Sequence, residues 1–69
     1  MTEQFPERLQ KLRERRRISR RVLSELCGLS KNMIARYERG ERKPDIETAA
    51  ILAETFGVTL DDLCLGKKI

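Results

Sequence analysis

Apolar side chains recur along the chain at the three- and four-residue spacing of helices that bury one face. Residues that favour helix ends separate these stretches: serine, aspartate or threonine precedes four of them, and glycine ends three. No stretch alternates apolar and polar residues for more than a few positions, so no strand is predicted. The pattern predicts an all-α fold of five short helices, at about residues 3–15, 20–27, 31–39, 46–56 and 60–65.

The predicted connections are only a few residues long, so the helices must pack against one another in one compact bundle. In the first helix we expect Phe5, Leu9 and Leu12 to form the buried stripe. Its other face is charged and is expected in solvent, and it comprises Glu7, Arg8, Lys11, Arg13 and Glu14. The whole predicted core consists of Leu9, Leu12, Ile18, Leu23, Cys27, Leu29, Ile34, Tyr37, Ile46, Ala49, Leu52, Ala53, Phe56, Val58, Leu60 and Leu63.

A length of 69 residues predicts one domain over 1–69, without a second domain to form a catalytic cleft or bind an effector. No apolar run approaches the ~18 residues that cross a bilayer, and no apolar leader is evident, so we expect a cytoplasmic protein without membrane contact. Residues 1–43 carry 13 basic and 6 acidic side chains, whereas residues 44–69 carry 2 and 5. This asymmetry indicates either a polyanionic partner, nucleic acid first, or simply solvated helix faces.

The chain offers no obvious catalytic or metal-binding set. It contains no histidine and only two cysteines, Cys27 and Cys64, which are too few for a structural zinc site and are interpreted as small apolar core residues. Its glycines are isolated, so no phosphate-binding loop is present. Asp61 and Asp62 follow Thr59 in the pattern of a helix cap rather than of a general acid and base. We therefore expect no enzymatic activity, cofactor, metal or small-molecule ligand.

Residues 19–39 predict a helix-turn-helix, in which two short capped helices are joined by a tight turn at Gly28. Leu23 and Ile34 are placed to hold the two helices together. Ser24 and Gly28 are small enough to allow a close crossing. This pattern alone is also compatible with a helical hairpin that binds nothing.

The third predicted helix has an exposed face suited to DNA. With Ile34 and Tyr37 inward, the ~100° step between residues puts Asn32, Arg36 and Arg39 on the opposite stripe. Asparagine pairs bidentately with adenine, and arginine with guanine, in the major groove. A solvated polar face on an ordinary amphipathic helix is the alternative interpretation.

Two cations stand where the helix dipole disfavours them, since Arg20 and Arg21 occupy the first turn of the second helix. They predict an external anion over that end, such as a DNA phosphate held by Arg20 and backbone N–H groups. Arg39, Arg42 and Lys43 follow the third helix and are placed to hold phosphates on its other side. Contacts of this kind set affinity and register rather than sequence preference.

Short motifs along the chain are similar to those of a known family. They are Ile18-Ser19, Gly28-Leu29-Ser30, Tyr37-Glu38-Arg39-Gly40, Pro44, Leu52-Ala53, Gly57-Val58 and Leu60-Asp61-Asp62-Leu63. From Phe5 to Leu65 the chain resembles the helix-turn-helix domain of the lambda-repressor/Cro-like (XRE) transcriptional regulators. The resemblance implies a five-helix all-α domain whose third helix enters the DNA major groove, usually as one half of a dimer on a two-fold site. Together with the charge pattern, it predicts a sequence-specific regulator that acts as a repressor, by occupying an operator and blocking transcription.

Carried over position by position, the resemblance implies which side chains meet DNA. The implied base contacts are Lys31, Asn32, Met33 and Arg36. The implied phosphate contacts are Arg20, Asn32, Arg39, Arg42 and Lys43. Ser30 is expected to act mainly as a helix cap, and Met33 has core packing as a second interpretation.

The chain departs from the family pattern at several positions. Arg20 replaces a frequent glutamine, and Arg17 stands in a turn that often holds glycine or asparagine, so we expect that turn to be built differently. Val22, Leu26 and Ile51 occupy positions that are usually polar. These three are interpreted either as scattered surface apolar residues or as part of a protein contact.

The alternative function is a protein-interaction module, such as an antitoxin-like or co-regulator partner. An RNA-binding role is weaker, because the three aromatic side chains are all assigned to the core and leave no stacking platform. The expected partner is double-stranded DNA, which would also bring the protein to the nucleoid. We expect a homodimer, formed in solution or only on DNA. Its first candidate interface is the fifth helix with Leu60, Leu63 and Leu65, followed by Val22 and Leu26.

Overall fold

The computed structural model describes residues 5–65, where it contains five α-helices and no strand. They are α1 (Phe5–Arg15), α2 (Arg20–Leu26), α3 (Met33–Glu38), α4 (Ile46–Phe56) and α5 (Leu60–Leu65). α1 packs against α3 and α5, α2 against α3, and α4 against α5. The predicted all-α fold and helix order are confirmed, while the predicted first turn before Phe5 lies outside the described residues. None of the five described helices has the length and apolar character of a membrane-spanning segment.

Three of the predicted helix starts are capped by side-chain oxygens, as expected. Ser19 on α2 and Asp45 on α4 each accept the backbone N–H three residues further on, at 3.0 and 2.8 Å. Thr59 caps α5 in the same way, accepting the Asp62 N–H at 3.0 Å. The Thr59-x-x-Asp62 spacing also predicts a capping box, in which the Asp62 carboxylate would accept the Thr59 N–H. In the structure this carboxylate accepts a hydrogen bond from Arg8 instead.

The start of α3 differs from the prediction. The helix begins at Met33, two residues later than expected, and its N-cap is Asn32 rather than Ser30. Asn32 has helical backbone angles and makes no side-chain cap, and the Met33 N–H donates to the backbone carbonyl of Ser30 at 3.1 Å. The turn before α3 is therefore closed by backbone groups, so a hydroxyl cap at Ser30 is not needed.

Four helix ends share one pair of backbone hydrogen bonds, the Schellman motif. In each, a residue with left-handed backbone angles donates to the carbonyl three positions back, and the next residue donates to the carbonyl five positions back. Glycine holds the left-handed position in three of them, at Gly28, Gly40 and Gly57. In the fourth it is Arg17, with φ 55°. The expectation that this turn is built differently was wrong, because the arginine adopts the conformation that glycine adopts elsewhere.

The core lies where the five helices meet, and most of the predicted members are in it. Its buried cluster consists of Leu9, Leu12, Leu23, Cys27, Ile34, Tyr37, Leu52, Ala53, Phe56 and Leu63. Ile18, Leu29 and Val58 are half-buried against this cluster, and Ala49 is buried as well. The prediction was wrong for Ile46 and Leu60, which are 80% and 41% exposed. Each is the first residue of its helix and lines an open groove rather than the interior.

The predicted solvent face of α1 was wrong at two arginines. Arg8 and Arg13 are 5% and 8% exposed, so both are buried. Each donates to a carboxylate from a distant part of the chain, Arg8 to Asp62 at 2.8 Å and Arg13 to Glu38 at 2.7 Å. A buried charge is tolerated when it is paired and hydrogen-bonded. Both arginines are paired with a carboxylate in this way, although the Nε atom of Arg8 is buried without a partner.

Candidate nucleic-acid interface

α2 and α3 form a helix-turn-helix held together by buried side chains. Leu23 on α2 and Ile34 on α3 are both fully buried in the shared core, as predicted. Ser24 is also fully buried, and its carbonyl accepts the Leu29 N–H at 2.8 Å, which closes the turn. Gly28 does not serve a close crossing, since a Cβ there would meet nothing within 4 Å. It serves the turn through its φ of +69°.

The inward face of α3 is tied to the rest of the fold. Ile34 and Tyr37 are buried, and the Tyr37 ring packs edge-on against Phe5 with centroids 6.0 Å apart. Burial raises the pKa of Tyr37 above its ordinary value of 10.0, and Asp45 raises this pKa further. The Glu38 side chain is only 2% exposed. These contacts fix the rotation of α3 about its own axis, so its outward stripe faces a defined direction.

The outward stripe contains the side chains predicted to contact bases. Lys31, Asn32 and Arg36 are exposed, while Ala35 between them is half-buried and leaves room for a close approach. Lys31 and Arg36 form no salt bridge with any described residue. Met33 is half-buried and packs against the core, which matches its second interpretation. That these residues contact bases stays a prediction.

The cations after α3 divide into a paired one and two unpaired ones. Arg39 donates to Glu41 through Nε at 2.7 Å and Nη2 at 3.3 Å, and both side chains are more than half exposed. This hydrogen bonding lowers the pKa of Glu41 and raises the pKa of Arg39. Arg42 and Lys43 are exposed and make no salt bridge within the described part of the chain. All three cations lie on one connection, between α3 and α4.

Arg20, the predicted phosphate ligand on α2, already has a carboxylate partner inside the protein. Its Nε donates to Glu38 Oε1 at 2.9 Å, while its side chain remains 50% exposed. The sequence had predicted an external anion at this end of α2, and the structure supplies an internal one. Sequence reasoning missed Glu38, although its position four residues after Ile34 put it on the buried face of α3.

The apolar residues proposed as a protein contact are exposed. Val22, Leu26 and Ile51 are 42%, 63% and 44% exposed. Of the side chains expected at a dimer interface on α5, Leu63 is fully buried and belongs to the core, so it is not available for a partner. Leu60 is exposed, and the side chain of Leu65 lies outside the described part of the structure.

Comparison with known proteins places this architecture. Residues 9–63 match the family model described as Helix-turn-helix. The chain belongs to this helix-turn-helix family. The five-helix fold is that of its lambda-repressor-like members: the P22 c2 repressor, solved in complex with a synthetic operator, superposes with a TM-score of 0.89 at 27% identity, over 96% of this chain and 100% of that chain.

Curated relatives of this helix-turn-helix chain are transcriptional regulators. The HTH-type transcriptional regulator AnsR of Bacillus subtilis is 39% identical over 62 residues, which cover 90% of this chain and 53% of AnsR. The HTH-type transcriptional activator BcrR of Enterococcus faecalis is 30% identical over 66 residues, which cover 96% of this chain and 32% of BcrR. The chain therefore spans about half or less of the length of these two relatives.

Proposed function

We propose that this domain binds a specific double-stranded DNA sequence as a transcriptional regulator, with α3 in the major groove. The observation that carries the proposal is the contrast between the two faces of α3. One face is locked into the core, and the other presents Arg36 to solvent beside the exposed N-cap residue Asn32. The operator complex of the P22 c2 repressor, which shares the fold, supports the proposal. Blocking transcription at an operator is the proposed mode of action, and no enzymatic activity is part of it.

The proposed contacts divide by chemistry. Lys31, Asn32 and Arg36 supply the donors and acceptors that distinguish guanine and adenine in the major groove, and Met33 supplies an apolar edge for thymine. The proposed phosphate contacts lie on both sides of α3 and comprise Arg20, Asn32, Arg39, Arg42 and Lys43. Because phosphate contacts release counterions, binding is expected to weaken steeply as salt rises. Through this binding the protein would reside at the nucleoid in the cytoplasm.

We further propose that two copies bind one operator. A single helix-turn-helix covers about one half-site, and dimers bind half-sites about 10 base pairs apart. Of the α5 side chains expected at the interface, Leu60 is the exposed one that the structure describes, and it lines an open groove of about 720 Å³ together with Ile46 and Phe5. Leu60→Asp is expected to abolish pairing on DNA in sedimentation measurements, whereas Leu26→Asp, on α2, should not. The reverse result would move the interface to α2.

The test of the proposed function is a selection from a random duplex DNA pool at ~150 mM salt. Recovery of an inverted repeat with half-site centres ~10 base pairs apart is expected. Retention without sequence enrichment would contradict sequence-specific binding and leave only backbone electrostatics. The affinity of the same purified protein for a duplex that contains one selected site is then measured by titration.

A second candidate function is a protein-interaction module, and the exposure of Val22 and Leu26 favours it. The two side chains are four residues apart on α2 and therefore share one face. If a partner binds there, the double substitution Val22→Ser with Leu26→Ser should abolish the complex and leave DNA affinity intact. Loss of DNA affinity in the folded double variant would argue against a separate protein-binding face.

A further inference from the structure

We propose that Glu38 is a positioning residue for DNA binding: it holds Arg20 by its Nε atom, so that the two terminal nitrogens of Arg20 grip a phosphate as a pair. The inference rests on the proposed function and adds to it a residue that faces the protein interior. Glu38 itself would not contact DNA, because its side chain is only 2% exposed.

The geometry at Glu38 leaves its carboxylate fully engaged. Arg13 donates through Nε to Oε2 at 2.7 Å and through Nη2 to Oε1 at 3.2 Å. Arg13, on α1, also donates through Nη1 to the backbone carbonyl of Ile18 at 2.9 Å, and this second contact fixes the position of its guanidinium. Arg20 adds a third hydrogen bond to the carboxylate, at 2.9 Å. Glu38 is thus held rigidly from the inside and offers Arg20 a fixed point of attachment.

Arg20 uses only one edge of its guanidinium for this contact. A guanidinium has five N–H donors, and the Nε donor is the one directed at Glu38. Its Nη1 and Nη2 atoms make no hydrogen bond with any residue between 5 and 65 that the structure describes. Two such nitrogens side by side form the fork that binds a phosphate in a bidentate manner. Half of the side chain is exposed, so a phosphate has access to it.

The net positive charge of this cluster is exposed to solvent. Two guanidinium groups share one carboxylate, so one positive charge remains uncompensated within the cluster. The Arg13 side chain is 10% exposed and Arg20 is 50% exposed, so the excess charge is presented to solvent at Arg20. Glu38 also offsets the repulsion that a cation meets at the first position of α2. The cluster therefore stabilises the free protein and still attracts an anion.

The attachment couples two parts of the proposed interface. Glu38 lies on the inward side of α3, whose outward side carries Arg36, and Arg20 lies on α2. Holding Arg20 from Glu38 fixes the separation between the phosphate grip and the base-contacting stripe. Such a fixed separation sets the register of α3 on the duplex.

The substitution Arg20→Lys separates positioning from charge. Lysine keeps the positive charge but has a single ammonium group. It can therefore contact either Glu38 or a phosphate, but it cannot bind Glu38 with one nitrogen and a phosphate with two others. We expect Arg20→Lys to lose nearly as much affinity for the selected duplex as Arg20→Ala, about tenfold. The matched control is Arg21→Lys: Arg21 is 76% exposed and lies 3.5 Å from Glu25, and its replacement should change affinity less than twofold.

A second variant tests Glu38 directly. Removing an acidic side chain ordinarily raises the affinity of a protein for DNA, because it removes a repulsion. We expect the opposite for Glu38→Gln: in protein shown by circular dichroism to be folded at the assay temperature, affinity should fall several-fold. In an Arg20→Ala background the same substitution should no longer lower affinity. In wild-type protein, both free and bound to DNA, the nitrogen-15 NMR signal of Arg20 Nε–H should show that this group remains hydrogen-bonded.

The outcomes distinguish this inference from the proposed function. Wild-type binding with Arg20→Lys indistinguishable from wild type, or a rise in affinity for Glu38→Gln, would overturn the positioning role and leave the proposed function intact. Failure of the wild-type protein to retain any duplex would overturn the proposed function itself.

Discussion

Two arginine–carboxylate clusters each include a buried arginine of α1, and they differ in whether a charged side chain of the cluster reaches solvent. The first joins α1 to α5 through Arg8 and Asp62, whose side chains are 7% and 12% exposed. It is closed, since both charges are buried and neutralise each other. The second joins α1, α2 and α3 through Arg13, Glu38 and Arg20, and it reaches solvent at Arg20.

The difference is one of exposure: similar ion pairs are buried in the first cluster and end at an exposed arginine in the second. In the Arg8–Asp62 cluster the hydrogen bond holds two helices together, and Arg8 Nε remains buried without a partner, a desolvation cost that this contact must offset. In the Glu38 cluster, the buried part fixes the position of an exposed cation. We expect a cluster of the first kind to contribute only to the fold, whereas we propose that the second kind contributes also to DNA binding.

The largest expected effect is on the closed cluster. Asp62→Leu leaves the Arg8 charge buried without a partner and should lower the free energy of unfolding by about 3–5 kcal/mol, measured by urea denaturation. The double variant Arg8→Met with Asp62→Leu should recover most of the loss, because an apolar pair of similar volume replaces the ions. If Asp62→Leu alone were as stable as wild type, the Arg8–Asp62 pair would not contribute to the stability of the fold.

Glu38→Gln should destabilise the domain less than Asp62→Leu. The amide oxygen of glutamine still accepts a hydrogen bond from Arg13, so we expect a loss of about 2 kcal/mol in the free energy of unfolding. Urea denaturation of the two variants side by side measures the difference. Equal losses would mean that the two clusters contribute to the fold in the same way, and the contrast between them would disappear.

Arg36→Ala should leave stability unchanged and cost about 1–3 kcal/mol in binding to the selected sequence. Arg42→Ala should instead weaken binding to all duplexes similarly and reduce the slope of log affinity against log salt by about one. Fluorescence titration at several salt concentrations measures both. Glu54→Asp, on the exposed surface of α4, keeps the negative charge and is the control expected to bind as wild type. Identical losses for Arg36→Ala and Arg42→Ala on every sequence would refute the assignment of Arg36 to bases.

Arg17→Gly should stabilise the domain by about 1 kcal/mol, since a residue with a Cβ pays that much for left-handed backbone angles. The substitution alters the connection between α1 and α2 without touching either ion pair cluster. Thermal melting measures the effect, and Gly57→Ala in the equivalent turn is expected to move the melting temperature in the opposite direction. A destabilised Arg17→Gly variant would mean that the arginine side chain contributes more than its backbone costs.

The smallest effect concerns pH. The backbone hydrogen bond from Thr48 holds the pKa of Asp45 below its ordinary value of 3.8. A lowered pKa means that the ionised cap stabilises the folded state above pH 3.8 and that this contribution is lost as the pH falls through the folded pKa. Asp45→Asn caps without titrating, so the stability of wild type relative to this variant should decline only in that acidic range. Parallel decline at all pH values would contradict it.

The sequence predicted most of the helices because their signals are local. The caps at Ser19, Asp45 and Thr59, and the apolar spacing within each helix, depend on residues within one or two turns. The predicted outward position of Arg36 and Lys31 followed from the same periodicity.

The two clusters could not be predicted because their carboxylates come from distant positions. Periodicity assigns a charged side chain to solvent, and only a partner from another helix reverses that assignment, as Asp62 does for Arg8. The left-handed Arg17 was missed for a related reason, since its local cost is offset by the packing of α1 and α2 on the same core. Ile46 and Leu60 were misassigned because helical spacing does not show where the core ends.

The span of the Arg8–Asp62 contact has a consequence for how the domain folds. The four Schellman turns close over a few residues, whereas this pair brings together positions 54 apart in the chain. Closing a long loop costs more chain entropy than closing a short one, so local turns can form early while the contact between the first and last helices waits. Weakening that contact should therefore accelerate unfolding and leave the folding rate almost unchanged. We therefore expect the Arg8–Asp62 pair to lengthen the lifetime of the native state by slowing unfolding.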